Sequence, residues 1–202
     1  MSRPGTTRGT RRPGRPKGYE RAVALERAVD AFWSRGYSAT SVRDLVHATG
    51  LAPKSLYSEF GGKEGVFVAA IDAYATTHSG RYRLHLGSEP LGVERIQGYY
   101  EGLDVLSDRR GCFLVNSLGE FEVIPSAAVR RIQSFFRWLT GLYCANLEAA
   151  ARGGGLKGSP DMQELARALV VFDQGLAIAS RSTSMRRHLA SAATQLLRSI
   201  RA

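Results

Sequence analysis

Ser41-Val-Arg-Asp44-Leu-Val-His-Ala-Thr-Gly50-Leu-Ala-Pro53-Lys-Ser-Leu-Tyr57-Ser-Glu-Phe60 contains two short helical patterns separated by a tight turn. Ser41 followed three residues later by Asp44 has the spacing of a capping box, in which each side chain satisfies a backbone N–H that a helix start leaves unpaired. Val42, Leu45 and Val46 supply a buried stripe, and Gly50 suits the left-handed conformation that closes a helix. Pro53 fits the first position of the next helix, where its missing N–H costs nothing. Leu56 and Phe60 lie one turn apart facing inward, which leaves residues 53, 54, 57 and 58 on the opposite side. That side offers a proline, a cation, a phenol and a hydroxyl. Such groups reach phosphates and base edges, although a polar helix face is often no more than solvated.

Upstream, Leu25, Ala28, Val29 and Phe32 mark an earlier helix that ends at Gly36. A helix bracing two others joined by a tight glycine-containing turn describes a helix-turn-helix unit. Downstream of Gly61-Gly62, a long helix from about Lys63 to His85 carries Val66, Phe67, Ala70, Ile71 and Tyr74 on its buried side. Helical patterns continue at about 91–107, 112–122, 126–152, 161–181 and 185–201, and no segment shows sustained strand alternation. The expected fold is therefore all-α, with residues 1–18 as a basic arm, 19–65 as a three-helix N-terminal domain and 66–202 as a larger helical C-terminal domain.

The 202 residues are 44% apolar and 23% charged, values that exclude wholesale disorder. The net charge of +10 is unevenly spread: residues 1–18 hold Arg3, Arg8, Arg11, Arg12, Arg15 and Lys17 and no acid. This arm should be disordered when free and should favour a polyanion. No secretory signal or membrane-length apolar run is present, so a cytoplasmic location without a membrane partner is expected. Cys112 and Cys144 lack metal-ligand spacing and read as reduced thiols. His47, His78, His85 and His188 form no metal-spaced cluster, and no phosphate loop or nucleophile motif occurs. Neither an enzyme, nor a metal, nor a cofactor is expected.

The run Leu25 to Phe32, Gly36-Tyr37, Thr40-Ser41-Val42-Arg43-Asp44-Leu45, Gly50-Leu51, Leu56-Tyr57, Phe60 and Lys63-Glu64 resembles the DNA-binding domain of the tetracycline-repressor (TetR) family of bacterial regulators. The resemblance implies a homodimer that reads a palindromic double-stranded DNA operator, with a C-terminal domain holding a small-molecule site and the dimer interface. It places Thr40 or Ser41 near a phosphate and Arg43 near a base or the backbone. Pro53, Lys54, Ser55 and Ser58 fall on the reading helix, with Lys54 and Ser55 the candidates for base-edge contact, and Tyr57 and Lys63 fall at phosphate-binding positions. Ala52 departs from the family's usual hydroxyl cap, and Lys54 from its usual small residue. Gly14-Arg15-Pro16-Lys17 is similar to arms that enter the minor groove, Arg15 and Lys17 being the contact candidates; the plainer alternative is a tail of nonspecific affinity.

For the ligand site the candidates are Tyr74, Cys112, Phe113, Asn116, Glu120, Phe136 and Phe172. Most of these aromatics suit a plain core equally well, and Asn116 and Glu120, four apart, suit polar anchors, solvent or a cap. The stretch Arg110-Gly-Cys112 resembles the start of a helix in regulators that sense electrophiles, and Arg109 and Arg110 would lower the thiol pKa there; a buried apolar cysteine is the alternative. Ala168, Phe172, Gly175 and Ala179 form a small-residue stripe, and Leu189, Ala193, Leu196 and Ile200 another, together suited to a dimeric four-helix bundle. These features imply a repressor released by a small-molecule or electrophile inducer. An architectural DNA-binding protein of low specificity, using the basic arm, is the competing reading.

Overall fold

Helix ends fall where capping chemistry permits them. A computed structural model describes residues 17–102, 109–186 and 188–202, with side chains from residue 21 onward. Its N-terminal helices are α1 (Lys17–Arg35), α2 (Val42–Thr49), α3 (Pro53–Phe60) and α4 (Lys63–Leu86). They are followed by α5 (Val93–Glu101), α6 (Phe113–Leu118), α7 (Ser126–Arg152), α8 (Met162–Ala179), α9 (Thr183–Arg186) and α10 (Leu189–Ile200). Among the described residues there is no strand, only an isolated bridge between Leu156 and Arg201.

The Ser41–Asp44 capping box forms in full, and α2 closes on Gly50 at φ 72° with its N–H on the Val46 carbonyl. Ala52 caps α3 without a side-chain bond, so Pro53 alone defines that start. Gly61, at φ 78°, ends α3 after two turns and redirects the chain into α4.

Two apolar cores result. The first joins Ala28 and Phe32 of α1, Leu45 of α2, Leu56 of α3, Phe67 and Ile71 of α4, Phe113 and Leu114 of α6, and Ile132 of α7. The helix-turn-helix unit and α6 thus share one packed interior, and each large side chain buried there contributes about 1.5–3 kcal/mol. The second core joins Leu86, Tyr99 and Tyr100, Tyr143 and Leu147, Leu169 and Leu176, and Leu189 and Leu197, from α4, α5, α7, α8 and α10 respectively. Phe136 of α7 packs against both.

Three expectations are corrected. The helix expected over 112–122 stops at Leu118, because Glu120, Phe121 and Val123 take the short i to i−3 bonds of successive turns. The helix expected over 161–181 ends at Ala179, and that expected over 185–201 divides into α9 and α10. The described part of α5 ends at Glu101, and the last residues of the helix expected over 91–107 lie outside the described residues.

The two stripes expected at the dimer interface are also arranged differently. Ala179 of α8, and Leu189 and Ala193 of α10, are buried within the chain itself. What α8 leaves open is a stripe of Ala168, Val171, Gly175 and Ile178, with 65% and 50% of the valine and isoleucine exposed.

Candidate functional site

On α3, Leu56 is fully buried and holds the helix down, leaving Pro53, Lys54, Tyr57, Ser58 and Glu59 exposed and Ser55 half-buried. The outward face read from the sequence is therefore present. The Tyr57 ring lies over Gly62, where an added Cβ would stand 3.1 Å from the ring. Arg43 of α2 is exposed, while the neighbouring Arg35 pairs with Asp44 at 2.9 Å. Ser41 is exposed, but its hydroxyl donates to Asp44 Oδ2 at 2.6 Å and accepts the Asp44 N–H at 3.1 Å. Thr40 faces inward: it is buried and donates to the Gly36 carbonyl at 2.6 Å. Lys63 is half-buried with its ammonium 4.2 Å above the Tyr37 ring. Arg15 lies outside the described residues, and Lys17 is described only as the first backbone residue of α1.

Glu120, a candidate ligand anchor in the sequence, reaches the turn between α1 and α2. Its two carboxylate oxygens accept the backbone N–H groups of Tyr37 at 2.7 Å and Ser38 at 2.8 Å. Burial pushes its pKa up, but the Ser38 and Tyr37 donors and the Lys63 charge outweigh this and hold it below the usual glutamate value. The turn is shaped for this contact. Gly36 sits at φ 85°, and a Cβ there would stand 2.4 Å from Glu120 Oε1. A second tie runs alongside: the Arg110 guanidinium lies 3.9 Å over the Trp33 ring of α1 and bonds Asp30 at 2.9 Å.

Behind α6 the remaining candidates divide. Tyr74 stacks on His78 at 3.7 Å and meets Trp33 and Phe113 edge-on at 5.1 and 5.5 Å, so Tyr74 and Phe113 belong to the first core. Asn116 donates to the Arg110 carbonyl at 2.7 Å, while its Oδ1 is buried without a hydrogen-bond partner among the described residues. Phe172 packs on Tyr100 with 5.8 Å between ring centres.

Arg110 does not activate Cys112. Arg110 is turned toward α1, and burial pushes the Cys112 thiol up despite hydrogen bonds from Val115, Tyr74 and Leu114. Burial and Glu148 push Cys144 up as well. Both thiols, Cys112 half-buried and Cys144 buried, should be alkylated by iodoacetamide at neutral pH more slowly in the native than in the denatured protein, and mass spectrometry of the two samples checks this.

The sequence reading missed a cluster around Asp173. Its Oδ2 accepts the Tyr143 hydroxyl at 2.7 Å and lies 3.5 Å from that of Tyr99, while the Tyr100 hydroxyl is 3.4 Å from that of Tyr143. The available signal was a single acid in the otherwise uncharged run Ala168 to Ala179. No three His, Cys, Asp or Glu side chains group to hold a metal among the described residues, and no described helix is long and apolar enough to cross a membrane.

Residues 24–70 match the family described as "Bacterial regulatory proteins, tetR family", and residues 92–196 match "Tetracyclin repressor-like, C-terminal domain". The chain is 38% identical over 109 residues to the HTH-type transcriptional repressor ComR of Escherichia coli (strain K12); the match covers 52% of each, so the chain spans about half the length of that relative. It is 29% identical over 161 residues to an HTH-type transcriptional regulator, YezE, of Bacillus subtilis (strain 168), covering 77% of this chain and 83% of YezE. A solved structure of a cysteine mutant of the TetR family regulator CifR, complexed with 26-base-pair operator DNA, superposes with a TM-score of 0.75 at 27% identity, covering 97% of this chain and all of that one. With an outward-facing α3 on a helix-turn-helix core, an all-α body, and both parts of the chain matched, this protein belongs to the TetR family of bacterial transcriptional regulators.

Proposed function

We propose that the protein is a repressor that binds a palindromic operator as a homodimer and is released by a small molecule held among the C-terminal helices. The observation that carries this reading is the double attachment of α6. Cys112, Phe113 and Leu114 at its N-terminal end pack into the first core, and two residues past its C-terminal end Glu120 grips the turn that places α2. A ligand that shifts α6 therefore also shifts the reading helices, and it acts by favouring the conformation it binds better. In the DNA-bound conformation Lys54 and Ser55 meet base edges, Tyr57 and Lys63 serve the backbone, Arg43 reaches a base or the backbone, and Ser58 stands beside them on the reading helix. Arg15 and Lys17 add affinity from the arm.

Two reading heads must be spaced for successive major-groove faces, about 34–36 Å apart, and a dimer supplies that spacing. The exposed stripe of Ala168, Val171, Gly175 and Ile178 supports an isologous contact through α8, since Gly175 leaves open space for close helix approach. Selection from random duplex DNA should enrich one palindrome even with residues 1–16 deleted, and sedimentation at micromolar concentration should give a dimer. Absence of any enriched sequence, or a monomer that still binds the palindrome, would contradict the reading.

A further inference from the structure

Asp173 is the charged residue on the buried side of α8, whose other inward residues include Ala166, Leu169, Val170, Leu176 and Ala179. Three tyrosine hydroxyls gather about its carboxylate: Tyr143 at 2.7 Å and Tyr99 at 3.5 Å from Oδ2, with the Tyr100 hydroxyl 3.4 Å from that of Tyr143. The other oxygen, Oδ1, is buried and has no hydrogen-bond partner among the described residues. An ionised oxygen left bare in an interior is costly unless something else satisfies it.

What surrounds the carboxylate is aromatic. Tyr99 lies 5.4 Å from Tyr82, 5.1 Å from Tyr100 and 6.2 Å from Tyr143, and Phe172 lies 5.8 Å from Tyr100. Ring faces attract cations, and a carboxylate set among them does so more strongly. The nearby Arg81 is exposed, with its guanidinium 5.6 Å over the outer face of the shell at Tyr99. Tyr100 also lines a separate cleft of about 420 Å³ between α5 and α10, with Gln97, Glu101, Thr194, Arg198 and Arg201; Asp173 is not part of its lining.

Building on the ligand-responsive reading above, we infer that Asp173 and its tyrosine shell anchor the inducer, and that the inducer is an organic cation carrying a protonated amine or amidinium. The ligand's N–H groups satisfy Oδ1, the ring faces hold its charge, and its apolar body packs on Tyr82, Tyr100 and Phe172. A carboxylate ligand meets repulsion, and a neutral one leaves the Asp173 charge uncompensated.

The proposal also sets a pH dependence. Burial pushes the Asp173 carboxyl up to about 7, against the hydrogen bonds from Tyr143, Tyr100 and Tyr99 and the charge of Arg81. Among the described residues, the other ionisable groups facing it are Tyr82 of α4, the Cys112 thiol and, beyond Tyr99 at 6.3 Å, the His85 ring. Burial pushes Tyr82, Tyr99, Tyr100, Tyr143 and Cys112 upward, away from neutrality. Because the folded-state pKa of Asp173 is raised, its contribution to stability is present below the unfolded value near 4 and is lost as pH rises through about 7. A cation binds the ionised form, so its affinity rises over the same interval, by roughly tenfold from pH 6 to pH 8.

The test is calorimetric titration of the full-length protein with benzylamine, 2-phenylethylamine and 4-phenylbutylamine, each beside the alcohol and the carboxylate of the same skeleton. Amines should bind in preference to both, with the stated pH dependence, and Asp173→Asn should abolish that preference while retaining the native circular dichroism. Should that variant fail to fold, Tyr143→Phe keeps the carboxylate and removes a donor, so the amine preference should persist with its pH midpoint moved higher. Equal binding of the three classes, no amine binding, or an unchanged preference in Asp173→Asn would overturn the assignment. Operator release, measured separately with neutral and anionic compounds, distinguishes the two ideas. Release by such a compound with Asp173→Asn unaffected leaves the ligand-responsive reading standing and removes the cation from it.

Discussion

Glu120→Ala should lower operator affinity about ten- to hundredfold while leaving the protein folded, because charge-assisted hydrogen bonds such as these contribute about 1.5–3 kcal/mol each and part of that sets the DNA-reading geometry. The substitution strands the N–H groups of Tyr37 and Ser38 and removes the anion beside Lys63. The α1–α2 turn that they fix determines where α2, and through it α3, meets DNA. Glu120→Gln keeps an acceptor but loses the charge and should fall between the wild type and alanine. Gly36→Ala attacks the same contact from the other side, since its Cβ would stand 2.4 Å from Glu120 Oε1 at a φ of 85°. A double-mutant cycle separates the two costs: with Glu120 already alanine the collision is gone and only the backbone strain remains, so the pair should be clearly less than additive. Fluorescence anisotropy with the selected palindrome measures all four proteins. Operator affinity unchanged in Glu120→Ala would remove the role of α6 as the link between interior and DNA. The same contact has a pH signature. The folded-state pKa of Glu120 is depressed, so its contribution is present above the unfolded glutamate value and is lost as pH falls through the folded one. The loss therefore lies below the ordinary glutamate value, whereas the folded-state Asp173 carboxyl titrates near 7.

The helix-turn-helix unit was legible because local and tertiary signals agree there. Ser41, Asp44, Gly50 and Pro53 each state a helix end by a mechanism that needs no distant partner, and Leu45 and Leu56 are the residues that the core then buries. The reading failed where a side chain's partner is remote in sequence. Glu120 looked like one face of a helix with Asn116, but its partners lie 82 and 83 residues away. Arg110 adjoins Cys112 in the chain, yet its guanidinium stacks on Trp33 and pairs with Asp30, so proximity in sequence did not become proximity of charge. Thr40 has the composition of a phosphate ligand and spends its hydroxyl on the Gly36 carbonyl. Of the α8 stripe Ala168, Phe172, Gly175 and Ala179, Ala168 and Gly175 are open but Ala179 is buried, and Val171 and Ile178 are exposed instead, because which side of a helix faces its own chain depends on the elements packed on it, here α6 and α7, rather than on α8 alone. Asp173 is hidden by the apolar periodicity of its run, yet an acid that interrupts such a run is informative when its helix is buried on that side.

Lys54→Ala and Lys63→Ala should separate sequence reading from backbone attachment. Lys54 stands exposed on the first turn of α3 with no competing contact described for it, where an ammonium can reach base edges, and a good base contact contributes about 1–3 kcal/mol of discrimination. Its loss should therefore change the ranking of operator variants, relaxing one position in each half-site by roughly five- to hundredfold. Lys63 is held differently: its ammonium lies over the Tyr37 ring and close enough to Glu120 for its charge to lower that carboxyl's pKa, so it is already oriented before DNA arrives. Alanine there should weaken binding to every sequence by a similar factor and reduce the slope of affinity against salt by about one ion per reading head. It should also weaken the Glu120 contact, so Lys63→Ala and Glu120→Ala should be non-additive in operator binding, whereas Lys54→Ala should add to either. Binding to a panel of single-base operator variants at two salt concentrations measures both effects. A uniform loss in Lys54→Ala, with the ranking of variants intact, would move specificity from Lys54 to Ser55 or Arg43. A changed ranking in Lys63→Ala would mean that the turn held by Glu120 sets the angle at which α3 enters the groove, and hence which bases it reads.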